Sequence, residues 1–354
     1  MNFIITLLLL VLILGLIILV HEFGHFIAAK KSGVYVEEFS LGMGPVIWQK
    51  KPKNSETTYS IRALPIGGYV AMAEKMDPEN KKIKKDRVLE NKGFLKNIWV
   101  MINGVAMNFI LAVFIFFISG LFYGKPVATA PQIMQVVEGS AAEKYGLEAG
   151  DTILSVNGVK VNNAEDFQYE VQAKKLKANY ELELKKPNGD IVKYDIIPDL
   201  KEANGTKVPS FGIAISGTKY EKGFLNAVSY AFTGVYDTTK TILKILGSLV
   251  VGEVSVDNLS GPVGMYSLID QVKTTGLQNI LYLIAYLSIN VGIINLIPIP
   301  VFDGGRILML CIEKVTKRKA NQKLELLLTY IGFGLMILLM LYVTFNDIIR
   351  LVVG

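Results

Sequence analysis

The sequence predicts a multi-pass α-helical membrane protein with four transmembrane helices, a membrane-associated β-region after the first, and one separately folding αβ module between the second and third. Three observations predict it. Of the 354 residues, 51% are hydrophobic and only 19% are charged, too apolar for an ordinary soluble chain and too charged for one held wholly in lipid. Crossing a bilayer takes about 20 mostly apolar residues. Four segments meet that need without a charged side chain: Phe3 to Val20, Ile98 to Tyr123, Ile280 to Phe302 and Leu326 to Phe345. Finally, basic charge is confined to two connectors. Residues 30–97 hold 14 Lys+Arg against 8 Asp+Glu (net +6) and residues 311–323 hold 5 against 1 (net +4), whereas residues 123–279 hold 16 against 18 (net −2). That asymmetry orients spans in a membrane: the basic connectors lie in the cytoplasm, the amino terminus, the large middle region and the carboxyl terminus outside it. With no RNA or DNA motif beside the charge, nucleic acid is excluded as a partner. The single cysteine, Cys311, leaves no intramolecular disulfide and no Cys-rich metal site.

Taken in order, residues 1–29 form the first span. It lacks a positive leading region and a small-residue cleavage site, so it reads as a retained helix, not a signal peptide. Residues 30–97 form the first cytoplasmic-side loop. Its stretch YVEEFSLGMGPVIWQKKPKNSETTYSIRALPIGGYVAM mixes β-branched and aromatic residues with Gly42, Gly44, Gly67 and Gly68, a strand-and-turn composition. The Lys/Glu-rich run from Glu74 to Lys96 reads as a solvated connector. Residues 98–123 are the second span. Residues 124–216 are the module, with a turn at Gly146, Gly150 and Asp151, a strand through Ile153, Leu154 and Val156, a tight turn at Asn157–Gly158, and strands Tyr180 to Lys185 and Ile191 to Ile197 split by PNGD; from Lys125 to Ser216 it is large enough to bury a small core. Residues 217–279 hold an amphipathic helix and a linker. Phe224, Val228, Phe232, Val235, Ile242, Leu246 and Leu249 share one face, interrupted by Asp237, Lys240 and Lys244, the pattern of a helix on the outer membrane surface, with a fifth span over 224–252 as the alternative. Residues 280–310 are the third span with its edge, 311–325 a cytoplasmic loop and 326–354 the fourth span.

The chain's two histidines both lie in HEFGH, residues 21–25, where the first span ends. On a helix His21 and His25, four apart, share a face and can bind one metal, and Glu22 beside them can reach a metal-bound water. Zinc suits two imidazoles with an oxygen ligand. A catalytic zinc takes three protein ligands, and without further His or a suitable Cys the third must be a carboxylate. The best placed is Asp303, in NLIPIPVFDGGR at the end of span three. Asp-Gly alone is foremost a turn signal, and a turn cap or a pair with Arg306 would also explain Asp303; the unfilled ligand set tips the balance to zinc. Pro298 and Pro300 break the helix there, and irregular backbone at membrane depth must be buried or line a cavity. An extended Pro-x-Pro segment is also placed to offer backbone to a bound peptide.

These residues resemble the site-2 protease family of intramembrane zinc metalloproteases, in its bacterial sigma-factor-regulating RseP/RasP branch. The resemblance covers essentially the whole chain: HEFGH, the N-x-x-P-x-P-x-x-D-G motif from Asn295 to Gly304, ALPIGGYV from Ala63 to Val70, and a PDZ-like GLEAGDTILSVNG from Gly146 to Gly158. It implies one zinc ion per chain on His21, His25 and Asp303, with Glu22 as general base. It implies that Asn295, Pro298 and Pro300 shape the substrate path, and that the glycine-rich strands, Gly67, Gly68 and Tyr69 among them, form a membrane-reentrant β-structure that handles an unwound substrate helix. The implied partners are membrane lipid, transmembrane protein substrates already cut on the outer side, such as anti-sigma factors or remnant signal peptides, and peptide ends bound by one extracytoplasmic PDZ domain. The implied location is the bacterial cytoplasmic (inner) membrane, with the active site toward the cytoplasm. The sequence departs from the family in span two, where GVAMN has Val105 in place of a proline while Asn108 keeps its position, and it carries one PDZ-like module where the Gram-negative branch has two. A rival reading is a catalytically silent membrane scaffold binding partners through the PDZ module; the intact Glu22 speaks against it. A transporter using intramembrane His and Asp is disfavoured by the absence of repeated spans.

Overall fold

A computed structural model describes residues 2–75, 83–173, 177–203, 206–252, 259–319 and 321–353. It divides into two compact units, Met1–Leu121 with Ala227–Gly354, and Phe122–Asn226.

In the first unit, α1 (Asn2–Lys31) is apolar on every side for most of its length, as a helix immersed in lipid must be. It ends in a Schellman motif: Val34 N–H donates to the Ala29 carbonyl and Gly33 N–H to that of Lys30. Gly33 supplies the left-handed φ of 71° that this turn requires, and Lys30 and Lys31 face the negative helix end. The chain then forms an antiparallel pair, β1 (Val36–Lys50) and β2 (Thr58–Met72). Each strand bends. Residues 38–41 lie between residues 68–71 and residues 58–61, and the latter pair onward with 48–50. Gly42 makes the fold-back possible, with φ 85° and a site where a Cβ would lie 2.6 Å from the Leu64 carbonyl oxygen. Phe26 of α1 packs on Phe39 and Tyr59, with ring centroids 5.1 and 6.1 Å away, which fixes this sheet beside the histidines.

Residues 76–82 of the expected solvated connector lie outside the described residues. Its described part is less solvated than expected: two short 3-10 turns, Lys85–Arg87 and Leu89–Asn91, bury Val88 and Leu89, and Leu89 packs with Ala28, Val34 and Val100. One apolar pair inside a charged run is too short to show a period.

Among the described residues, four helices are long and apolar enough to cross a membrane: Phe3–Lys31, Phe94–Phe122, Leu277–Leu296 and Lys323–Arg350. The second lies in α2 (Phe94–Phe122). Residues 217–279 hold α5 (Phe224–Val250) and α6 (Pro262–Val272), numbered after α3 and α4 of the other unit; residues 253–258 of the expected linker lie outside the described residues. From Ala227 onward, α5 buries Ala227, Ala231, Gly234, Thr238 and Ile242. Gly234 fits against the Phe116 ring, Ala227 against Gly120, and Ile242 joins a cluster with Ala112, Ile115 and Ile289. The helix packs along α2 through these small side chains, with Phe224 and Phe232 exposed. Small side chains, which hydropathy overlooks, allow the close approach.

The expected third span is two helices, α7 (Leu277–Leu296) and α8 (Asp303–Thr316). The prolines break the backbone between them, and the intervening loop is bent, not uniformly extended: Ile299 N–H donates to Ile297 O and Phe302 N–H to Ile299 O. The fourth span is α9 (Gln322–Val353).

The second unit is an antiparallel sheet in the order β10-β3-β4-β6-β7, with β5 on β4 and a separate antiparallel β8–β9 pair. The strands are β3 (Lys125–Val136), β4 (Thr152–Val156), β5 (Val159–Lys160), β6 (Tyr180–Lys185), β7 (Ile191–Ile196), β8 (Asp199–Ala203), β9 (Thr206–Ser210) and β10 (Ile213–Glu221). With α3 (Ala141–Lys144) and α4 (Ala164–Gln168), they enclose Ile133, Leu147, Ile153, Tyr180, Leu182, Leu184, Ile196 and Phe211. The expected boundary at residue 216 cuts through β10, which pairs with β3 as far as Glu221 and Lys125; its last residues are too polar to announce a strand.

Candidate metal centre

His21 and His25 stand one turn apart on α1, with their Nε2 atoms 3.1 Å apart. Asp303, the first residue of α8, brings Oδ2 to 3.2 Å from each. The three side chains could hold one metal ion. Tetrahedral zinc with bonds of 2.0–2.1 Å keeps its ligand atoms about 3.3 Å apart, so the spacing fits. The chemistry fits as well. His25 Nδ1 lies 2.8 Å from the Val100 carbonyl oxygen; only a protonated Nδ1 can donate there, which turns the Nε2 lone pair inward. Asp303 Oδ2 is buried without a hydrogen-bond partner among the described residues. Lone pairs converging on an orphaned carboxylate oxygen repel one another unless a cation lies between them.

The local sequence explains this convergence. A Cβ at Gly24 would lie 2.2 Å from the Asn103 carbonyl oxygen, and one at Gly104 would lie 2.3 Å from His25 Nε2. Two glycines thus let α1 and α2 approach until the histidines fit between them. On α8, Cβ atoms at Gly304 and Gly305 would each lie 2.2 Å from a carbonyl oxygen, of Leu296 at the end of α7 and of Ile299 in the loop respectively. The D-G-G run is accordingly a helix start pressed against the preceding loop, and Arg306 pairs with Glu74 at 2.6 Å, leaving Asp303 to the histidines.

Glu22 lies next to β2, where a Cβ at Gly68 would stand 3.8 Å from its Cγ. Gly68 thus brings strand backbone to the expected base, while Gly67 beside it faces Met43 and Ile18. Tyr69 is committed elsewhere: its hydroxyl donates to Glu38 Oε2 at 2.6 Å, and Arg62 and Ser60 donate to the same carboxylate. Burial pushes the Glu38 carboxyl up, but the bonds from Ser60, Tyr69 and Arg62 outweigh it and hold it below its ordinary range. Asn295 is in the last turn of α7, and Pro298 and Pro300 lie in the loop leading to Asp303. Sequence reasoning gave no role to Gly24, Gly104 or Val100; the glycine inside HEFGH was the available signal.

Peptidase family M50 matches residues 9–339. The chain belongs to that family. It is 33% identical to the regulator of sigma-W protease RasP of Bacillus subtilis, covering 99% of both chains. It is 33% identical to the zinc metalloprotease RasP of Bacillus licheniformis (96% of this chain, 98% of the relative) and 32% identical to that of Oceanobacillus iheyensis (96% and 98%). A solved structure, the PDZ domain of an SdrC-like protein from Listeria innocua, is similar over 24% of this chain and 92% of its own, at 22% identity and a TM-score of 0.21. This M50 peptidase is accordingly an intramembrane zinc metalloprotease of the RseP/RasP type.

Proposed function

We propose that His21, His25 and Asp303 hold a single zinc ion and that Glu22 is the general base for hydrolysis of a peptide bond inside a transmembrane segment. The observation that carries this reading is the convergence of three ligand atoms from α1 and α8 beside a glutamate. Bound zinc would supply Lewis acidity to water and to the scissile carbonyl. Glu22 takes the proton from the attacking water and returns it to the leaving amine. The helix α1 sets both the ligands and the base, and α8 delivers the third ligand once the prolines have ended α7.

An intact substrate helix hides its carbonyls in i to i−4 bonds, so a segment must unwind before it is cut. The backbone of Gly67 and Gly68, the latter next to Glu22, suits capture of such a segment as an added strand, while Asn295, Pro298 and Pro300 line its path on the other side. Tyr69 serves this capture through its backbone, its hydroxyl being held by Glu38. The substrates are single-span membrane proteins first cut outside the cell, anti-sigma factors or remnant signal peptides among them. The unit at 122–226 acts as a PDZ module outside the cytoplasm that filters their ends, and the metal lies toward the cytoplasmic side of the inner membrane. The charge asymmetry of the connectors supports that sidedness.

Cleavage of a tagged single-span substrate by the wild type and by Glu22→Gln, with zinc measured in both, tests this. Loss of cleavage with zinc retained is expected; equal cleavage would remove Glu22 from the mechanism.

A further inference from the structure

Asn108, in the middle of α2, is fully buried. Its amide faces the outer nitrogen of the first histidine, with Nδ2 3.4 Å from His21 Nδ1, while its Oδ1 has no hydrogen-bond partner among the described residues. An Nδ2 donor would demand an unprotonated Nδ1 and so place the ring's proton on Nε2, pointing at Asp303 and His25. A carboxamide's two ends are nearly isosteric, and the surrounding network decides which of them faces a partner. With the oxygen toward His21, Nδ1–H gains an acceptor, the orphaned Oδ1 gains a donor, and Nε2 presents a lone pair. One rotation satisfies three requirements.

We infer that Asn108 is a positioning residue that accepts the Nδ1–H of His21 and thereby holds the tautomer able to ligate metal through Nε2. The inference rests on the metal reading above. Its counterpart is already formed at the second histidine, where the Val100 carbonyl takes Nδ1–H of His25. The helix α2 thus serves both rings, by backbone at 100 and by side chain at 108. Ser288 of α7 donates its hydroxyl to the main-chain carbonyl oxygen of Asn108 at 2.9 Å, a contact between the two helices that leaves the side-chain amide to His21. Metal-ligating histidines generally depend on such a partner, and removing it typically lowers metal affinity about 10–100-fold.

The chain's two histidines make the test direct. Full-length protein labelled with 15N-histidine gives two imidazoles, whose long-range proton–nitrogen couplings report which nitrogen carries hydrogen; a His25→Gln sample assigns them. In zinc-loaded wild type the Nδ1–H of His21 is expected to resonate downfield as a hydrogen-bonded proton and to move upfield in Asn108→Leu; a resonance unchanged by that substitution would overturn the inference. Zinc affinity by chelator competition supplies the second readout. Asn108→Leu, which keeps the volume and loses the acceptor, is expected to weaken zinc about 10–100-fold. Asn108→Asp, which keeps the acceptor, is expected to bind at least as tightly as wild type, and Ser288→Ala, which loosens only the helix contact, to bind like it. Wild-type affinity in Asn108→Leu, or equal weakening in Asn108→Asp, would overturn the inference while leaving the metal site standing. Failure of the wild type to bind zinc would instead overturn the site itself.

Discussion

Gly104 sets the tolerance of the centre at the level of single atoms. A Cβ there would fall 2.3 Å from His25 Nε2 and 2.9 Å from His21 Cε1, closer than any carbon can approach. Gly104→Ala should displace both rings, and since a misplacement of about 1 Å can cost about a hundredfold in rate, cleavage should fall by that order with zinc content falling in parallel; a variant with wild-type zinc and rate would show that α2 does not crowd the site. Glu56 tests a different residue-scale claim. Hydrogen bonds from Arg87, and to a lesser degree the Lys30 ammonium, hold its carboxyl at about 2, against an ordinary 4.5, in spite of burial. A depressed carboxyl stabilises the fold above its ordinary value and loses that contribution as it is protonated. The thermal stability advantage of wild type over Glu56→Gln should therefore be full at pH 7, shrink below about pH 4.5 and vanish near pH 2, read from melting curves in detergent; an advantage that is independent of pH would contradict it.

At the scale of elements, the legibility of the sequence followed the size of its side chains. Runs of large apolar residues announced the four long apolar helices, and the segment Tyr180 to Lys185 announced β6. The tight packing of α5 on α2 was hidden, because Ala227, Ala231 and Gly234 bury little area each and gain by letting backbones approach. The break between α7 and α8 was visible in Pro298 and Pro300, while the reason for the two glycines after Asp303 was not: they lie under carbonyls that only the folded loop puts there. Gly304→Ala should accordingly push α8 off Leu296 and lower zinc content more than Gly334→Ala on α9, where a Cβ would meet nothing within 4 Å. In the second unit, Leu184 is wholly buried in the core, and Leu184→Ala should cost about 2–5 kcal/mol of that unit's stability, measured by hydrogen exchange of β6 in the intact chain; a loss well under 1 kcal/mol would mean the core is not packed as described.

For the whole molecule, the site is assembled from chain segments near opposite ends of the sequence. HEFGH was legible by spacing alone, and the missing third ligand pointed to a carboxylate, but only folding brings α8 back to α1. Of the supporting shell, Asn108 was visible as a position in GVAMN but without a role, and Val100 and Gly104 stayed roleless because they act through a backbone carbonyl and an absent side chain. The most direct measurement of the central claim is zinc per chain in purified wild type, Glu22→Gln and Asp303→Ala. One zinc per chain in the first two and near-complete loss in Asp303→Ala is the predicted result; Asp303→Ala retaining a full zinc ion would contradict it.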